Sequence, residues 1–198
     1  MTYYDDLKLH LDSMTDVPEA AQSLLPVASE LDERLQFLAN EPPSENTRLA
    51  ALDARRKAAE KAQGILDATE QRFAEPIGKA RDELFREPEP DRFHVQRFWS
   101  SLPEGYDSLM IEATWDTLSE FQRDALMIHP DRIIKDGEGY RSAPFVSPEL
   151  REREYRSRRP EAAQKFDRLT SQAEAMRLAG AFFLTATKAS ARDTLSFT

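Results

Sequence analysis

Apolar residues in this chain recur mostly at steps of three and four. The longest such stretch runs from Ser44 to Arg86, where Leu52, Ala59, Ala62, Leu66, Thr69, Phe73, Ile77, Ala80 and Leu84 fall on one helical face, with one skipped turn at Arg55. Pro42-Pro43-Ser44 opens it and Glu87-Pro88-Glu89-Pro90 closes it. Ser44 is suited to cap the first turn, and Glu45 to meet the positive end of the helix dipole. The interior is rich in Ala, Arg, Lys, Glu and Gln, which lose little on entering a helix. Unbroken, such a helix spans about 65 Å at ~1.5 Å per residue. Pro76 is the expected kink, because it removes one backbone bond and crowds the preceding turn. The second row of a heptad reading, Arg55, Ala62, Thr69 and Pro76, is poor. That favours a core-facing bundle helix over a coiled-coil arm.

Shorter periodic runs flank this one. Thr2 to Met14 predicts a helix with Tyr4, Leu7, Leu11 and Met14 on one face and His10 on the surface. Asp16-Val17-Pro18-Glu19 predicts a second helix, ending where Pro26 interrupts. Val27 to Ala39 predicts a third, stopped by Asn40. After the stiff Glu87–Pro90 linker come Phe93, Phe98, Trp99, Leu102 and Tyr106, a density of aromatics expected of a core, with His94 packed among them. Pro103-Glu104-Gly105 predicts a turn. Ser108–Trp115 reads equally as strand or helix. Thr117-Leu118-Ser119-Glu120 has the form of a capping box for a helix to Ile128. Arg132–Arg141, with Asp136-Gly137 at its centre, resembles a short β-hairpin. Ser147-Pro148 caps a charge-dense helix to Arg159. Pro160 separates that from a final helix, Glu161 to about Arg192, with Phe166, Leu169, Ala173, Met176, Gly180 and Phe183 on one face. The expectation is an all-α multi-helix bundle with one long Pro-kinked helix and room for one short β-hairpin. It divides into an N-terminal lobe, 1–87, and an aromatic-rich lobe, 88–198, closed by the last helix.

Composition narrows the function classes. With 40% apolar and 32% charged residues, the 198-residue chain can bury a sizeable core. A net charge of −9 argues against nucleic acid and anionic membranes as partners. Residues 1–43 hold nine carboxylates against Lys8 and Arg34, a solvated face or a dock for a basic partner. The chain has no cysteine, which fits a reducing compartment, and the acidic start lacks the apolar run of a secretory signal. Its longest charge-light apolar stretch, Leu178–Thr187, is shorter than the roughly 20 residues a membrane helix needs. The expected location is the cytoplasm, or the inside of a virus particle.

Candidate chemistry is sparse. His10, His94 and His129 are scattered, and no nucleophile, phosphate-loop, dinucleotide or zinc motif occurs. The reading is therefore not an enzyme, with no cofactor, no metal and no small-molecule substrate. A carboxylate-based active site is the catalytic alternative. His129-Pro130-Asp131 ends a helix carrying Phe121 and Ala125, and a later helix opens at Glu161-Ala162-Ala163-Gln164-Lys165-Phe166. This resembles the helix–HPD–helix core of J-domain co-chaperones. The resemblance implies stimulation of an Hsp70 ATPase, with His129–Asp131 as the functional loop.

Two regions are expected to meet partners. The last helix is apolar nearly all round from Ala173 to Ala186, with Ala175, Ala179, Gly180, Phe182 and Phe183 suited to tight contact. The alternatives are a buried central helix and an interface with another protein or a second copy. Arg151, Arg153, Arg156, Arg158 and Arg159 form the basic patch, either an anion contact or a salt-bridged solvated face. The first functional reading is a non-catalytic structural or adaptor subunit acting through protein contacts or self-association. One setting for it is a large assembly such as a virus or phage particle.

Overall fold

The computed structural model describes residues 2–14, 17–102, 108–128, 131–136, 139–144 and 146–193. Its helices are α1 (Tyr3–Asp12), α2 (Glu19–Gln22), α3 (Leu24–Ala39), α4 (Glu45–Leu84), α5 (Arg92–Ser101), α6 (Ser108–Thr114), α7 (Glu120–Ile128), α8 (Pro148–Arg158) and α9 (Pro160–Asp193). Trp115–Thr117 is a 3-10 turn. Between α7 and α8, β1 (Asp131–Asp136) runs antiparallel to β2 (Gly139–Pro144), from Asp131 opposite Pro144 to Asp136 opposite Gly139. The fold class is all-α, with one long helix as its dominant element. Asp16, the 103–105 turn, Tyr106, His129, Pro130 and Gly137 lie outside the described residues.

The chain forms two compact units. The first is Met1–Lys79 with Lys165–Thr198, and the second is Ala80–Gln164. The linker at Glu87–Pro90 is therefore not the boundary, and most of α9 belongs with the N-terminal helices. The reason is packing at long range. The first core joins Leu7 and Leu11 of α1, Ala21 of α2, Leu24, Val27, Ala28 and Leu31 of α3, Ala58, Ala62 and Leu66 of α4, and Met176, Ala179 and Phe183 of α9.

Local rules account for most element ends. The Thr2 hydroxyl accepts the Asp5 N–H at 3.1 Å, and the Ser44 hydroxyl that of Thr47 at 3.1 Å. Asp32 of α3 completes the start of α1: its two carboxylate oxygens accept the Tyr3 and Tyr4 N–H groups at 2.9 and 2.8 Å. These donors have no partner within their own helix. Pro26 does not end a helix. It sits in the first turn of α3, where no backbone N–H is required. α4 continues through Pro76, on a stretch where Ala74, Glu75 and Pro76 are exposed.

Further expectations change in detail. Ser108–Trp115 is helical up to Thr114. The box that opens α7 is Ser119 with Gln122: Ser119 N–H donates to the Gln122 amide oxygen at 2.8 Å, and Gln122 N–H donates to the Ser119 hydroxyl at 3.3 Å. His10 is not simply a surface residue; its ring stacks on Phe182 with centroids 4.3 Å apart. The aromatic run on α5 is not a core. Phe93 is 71% exposed and only Val95 of that helix is buried. His94 is exposed and bonds to the helix cap Asp91.

Candidate functional site

The expected partner surface on α9 is occupied from within the molecule. Ala175, Ala179, Gly180 and Phe183 are buried, and Phe182 is half-buried beneath His10. Phe183 meets Tyr3 edge-on at 6.3 Å. A Cβ placed on Gly180 would lie 2.8 Å from Cγ of Leu66, with both methyl groups of Leu66 closer still. Glycine is there because α4 and α9 approach too closely for any side chain.

The basic patch folds inward in the same way. In the second unit Glu154 is 6% exposed, yet it accepts the Trp115 indole N–H at 2.9 Å and the Arg158 Nε–H at 2.7 Å. Arg123 Nη1 lies 3.6 Å from the same carboxylate, and Arg158 also bonds to Asp124. Burial raises the Glu154 pKa, but the bonds from Trp115 and Arg158 and the Arg158 and Arg123 charges outweigh it, so the carboxyl is held below its ordinary range. Burial lowers the Arg158 pKa and the bonds to Asp124 and Glu154 outweigh that, so this group stays charged. Arg159 donates to the Leu84 carbonyl at 2.8 Å, capping the end of α4. Arg151 pairs with Glu87 at 3.2 Å, and the guanidinium groups of Arg151 and Arg159 both lie over the Tyr155 ring. Arg156 pairs with Glu152 at 2.8 Å, while Arg153 is exposed. One side of α8 is thus a salt-bridged, solvated face, with Glu152 and Arg153 exposed. Its other side, with Arg151, Glu154, Arg158 and Arg159, is an ionic clamp joining α8 to the 3-10 turn, α7 and the end of α4.

Sequence reasoning missed this clamp. Glu154 lies in a run of alternating charges, and nothing local distinguishes it from Glu149 or Glu152. Trp115 reaches it from 39 positions away, and Asp124 reaches Arg158, its partner in the clamp, from 34.

Asp131 of the His129-Pro130-Asp131 tripeptide opens β1, and the next helix begins only at Pro148. A helix–loop–helix core of the co-chaperone kind would need a helix there. Among the described residues, no group of three or more His, Cys, Asp or Glu side chains is placed to hold a metal ion. Among them, too, no helix is long and apolar enough to cross a membrane.

A concave surface lies among the described residues of the first unit. α3 and α4 flank a crevice of about 210 Å³. Its apolar lining is the half-exposed Ala50 and Ala54 of α4, with the buried Val27 and Leu31 of α3 and Ala58 of α4 beneath them. Its rim carries Glu30, Arg34, Asp53, Lys57 and Lys61. Lys61 bridges to Glu30 across the two helices at 2.5 Å, and Lys57 pairs with Asp53 at 2.8 Å. Two large apolar side chains of the same helices are exposed, Phe37 at 55% and Leu49 at 51%. The signal was present in the sequence: Ala50 and Ala54 continue, at steps of four, the row that Ala58 and Ala62 carry into the core.

The sequence matches no known family, and no curated protein or solved structure is detectably similar to it.

Proposed function

We propose that this protein is a non-catalytic adaptor or structural subunit that works through contacts with other proteins. The α3–α4 crevice carries this reading. Half-exposed Ala50 and Ala54 line it beside a charged rim, and Phe37 and Leu49 elsewhere on the same two helices are exposed, a combination suited to receiving another chain. The small residues of α9 support it differently: Ala175, Ala179 and Gly180 are buried within the first unit, so they stabilise the unit that presents the crevice. The test is affinity capture from the native source, then reconstitution of the captured protein with purified chain in multi-angle light scattering. A defined complex is expected. A chain that remains a monomer with every captured candidate refutes the reading.

A further inference from the structure

We infer that the α3–α4 crevice seats an acidic amphipathic helix of a partner protein, its apolar face on the half-exposed Ala50 and Ala54 and a carboxylate against Arg34. This rests on the adaptor reading and names the chemistry of the partner. The shape argues for a helix. Two helices form the walls, and alanine at every fourth position of α4 leaves room for a third backbone to approach.

Charge argues for an acidic one. Glu30 is matched by Lys61, and Asp53 by Lys57 and by Arg56 at 2.7 Å. Arg34 is different: among the described residues no carboxylate pairs with it, and its guanidinium rests over the exposed Phe37 ring at 5.3 Å. The unmatched rim charge is therefore a cation held beside apolar surface, where a carboxylate can form a two-pronged contact. The overall charge of −9 does not cancel this preference. Charges beyond about 8 Å are largely screened at physiological salt, so the local rim decides the contact.

The probe is a fluorescein-labelled amphipathic helical peptide of Leu, Ala and Glu, compared by anisotropy with the same peptide carrying Lys for Glu. The Glu peptide should bind about tenfold more tightly, and Arg34→Glu should reverse the order. Ala50→Trp, which fills the crevice from its half-exposed wall, should abolish binding of both. Circular dichroism melts confirm that each variant is folded. Equal binding of the two peptides, no binding, or an unchanged order in Arg34→Glu overturns the inference. So does a dimer of the chain alone that Ala50→Trp dissociates, since the occupant is then a second copy. A partner captured equally well by wild type and Ala50→Trp removes the crevice inference while leaving the adaptor reading standing.

Discussion

Gly180→Ala tests the closest helix contact in the first unit. An added Cβ would stand 2.8 Å from Leu66 Cγ, whereas carbon atoms rest at about 3.5–4.0 Å. Turning the Leu66 methyl groups cannot relieve this, because Cγ moves only with χ1 or with the backbone. Leu66 is 7% exposed and belongs to the core cluster, so both routes disturb packed neighbours. Overpacking of this kind costs about 1–3 kcal/mol, and the need to move Cγ places it in the upper half of that range. Alanine returns about 1 kcal/mol through its better helix propensity. The net expectation is a loss of about 1–2 kcal/mol, read by urea titration at the helical circular dichroism band. The decisive comparison uses Leu66→Ala. That change alone should cost about 2–5 kcal/mol. In its background the Cβ has space, so Gly180→Ala should become stabilising by up to about 1 kcal/mol. Gly180→Ala that is neutral in the wild type, or strict additivity in the double variant, would refute the close-approach argument.

Three further outcomes follow from named contacts. Glu154→Gln should lower stability by about 2–3 kcal/mol near neutral pH, because Arg158 and Arg123 lose a buried counter-charge. The folded-state pKa of Glu154 lies below its ordinary 4.5, so its contribution is present above that value and is lost as pH falls through the lower one. The gap between wild type and variant should therefore close in acid, and a gap independent of pH would remove the clamp from the account. Asp32→Asn replaces one acceptor with a donor facing an N–H group, and should cost about 1.5–3 kcal/mol. Hydrogen exchange should quicken at Leu7 and Leu11, and unchanged protection there would count against the cap. Phe93→Ser should leave stability within about 0.5 kcal/mol, since the ring is exposed; a loss of 2 kcal/mol or more in thermal melts would mean that it packs.

Local order in this chain is written locally. Ser44 and Ser147 cap the helices expected of them, Thr2 caps the first helix, and Asn40 closes the helix it was expected to close. The long Ala-rich run is one helix from Glu45 to Leu84. Period and capping chemistry act within a few residues, so one sequence suffices to read them. What each helix face meets was not legible. The same small-residue pattern on α9 fits a partner or its own core, and only the approach of Leu66 to Gly180 decides between them. The same arginine-rich pattern on α8 fits a solvated surface or a clamp, and Trp115 and Asp124, distant in sequence, settle which. Pro26 has the same residue type whether it breaks a helix or begins one; its place in the first turn of α3 makes it harmless. The sequence by itself determined most of the helices and several of their caps, because these follow from backbone geometry and side-chain solvation nearby. The tertiary structure alone decided which stripes are covered, which charges are neutralised and which crevice stays open, because those depend on side chains brought together from far along the chain.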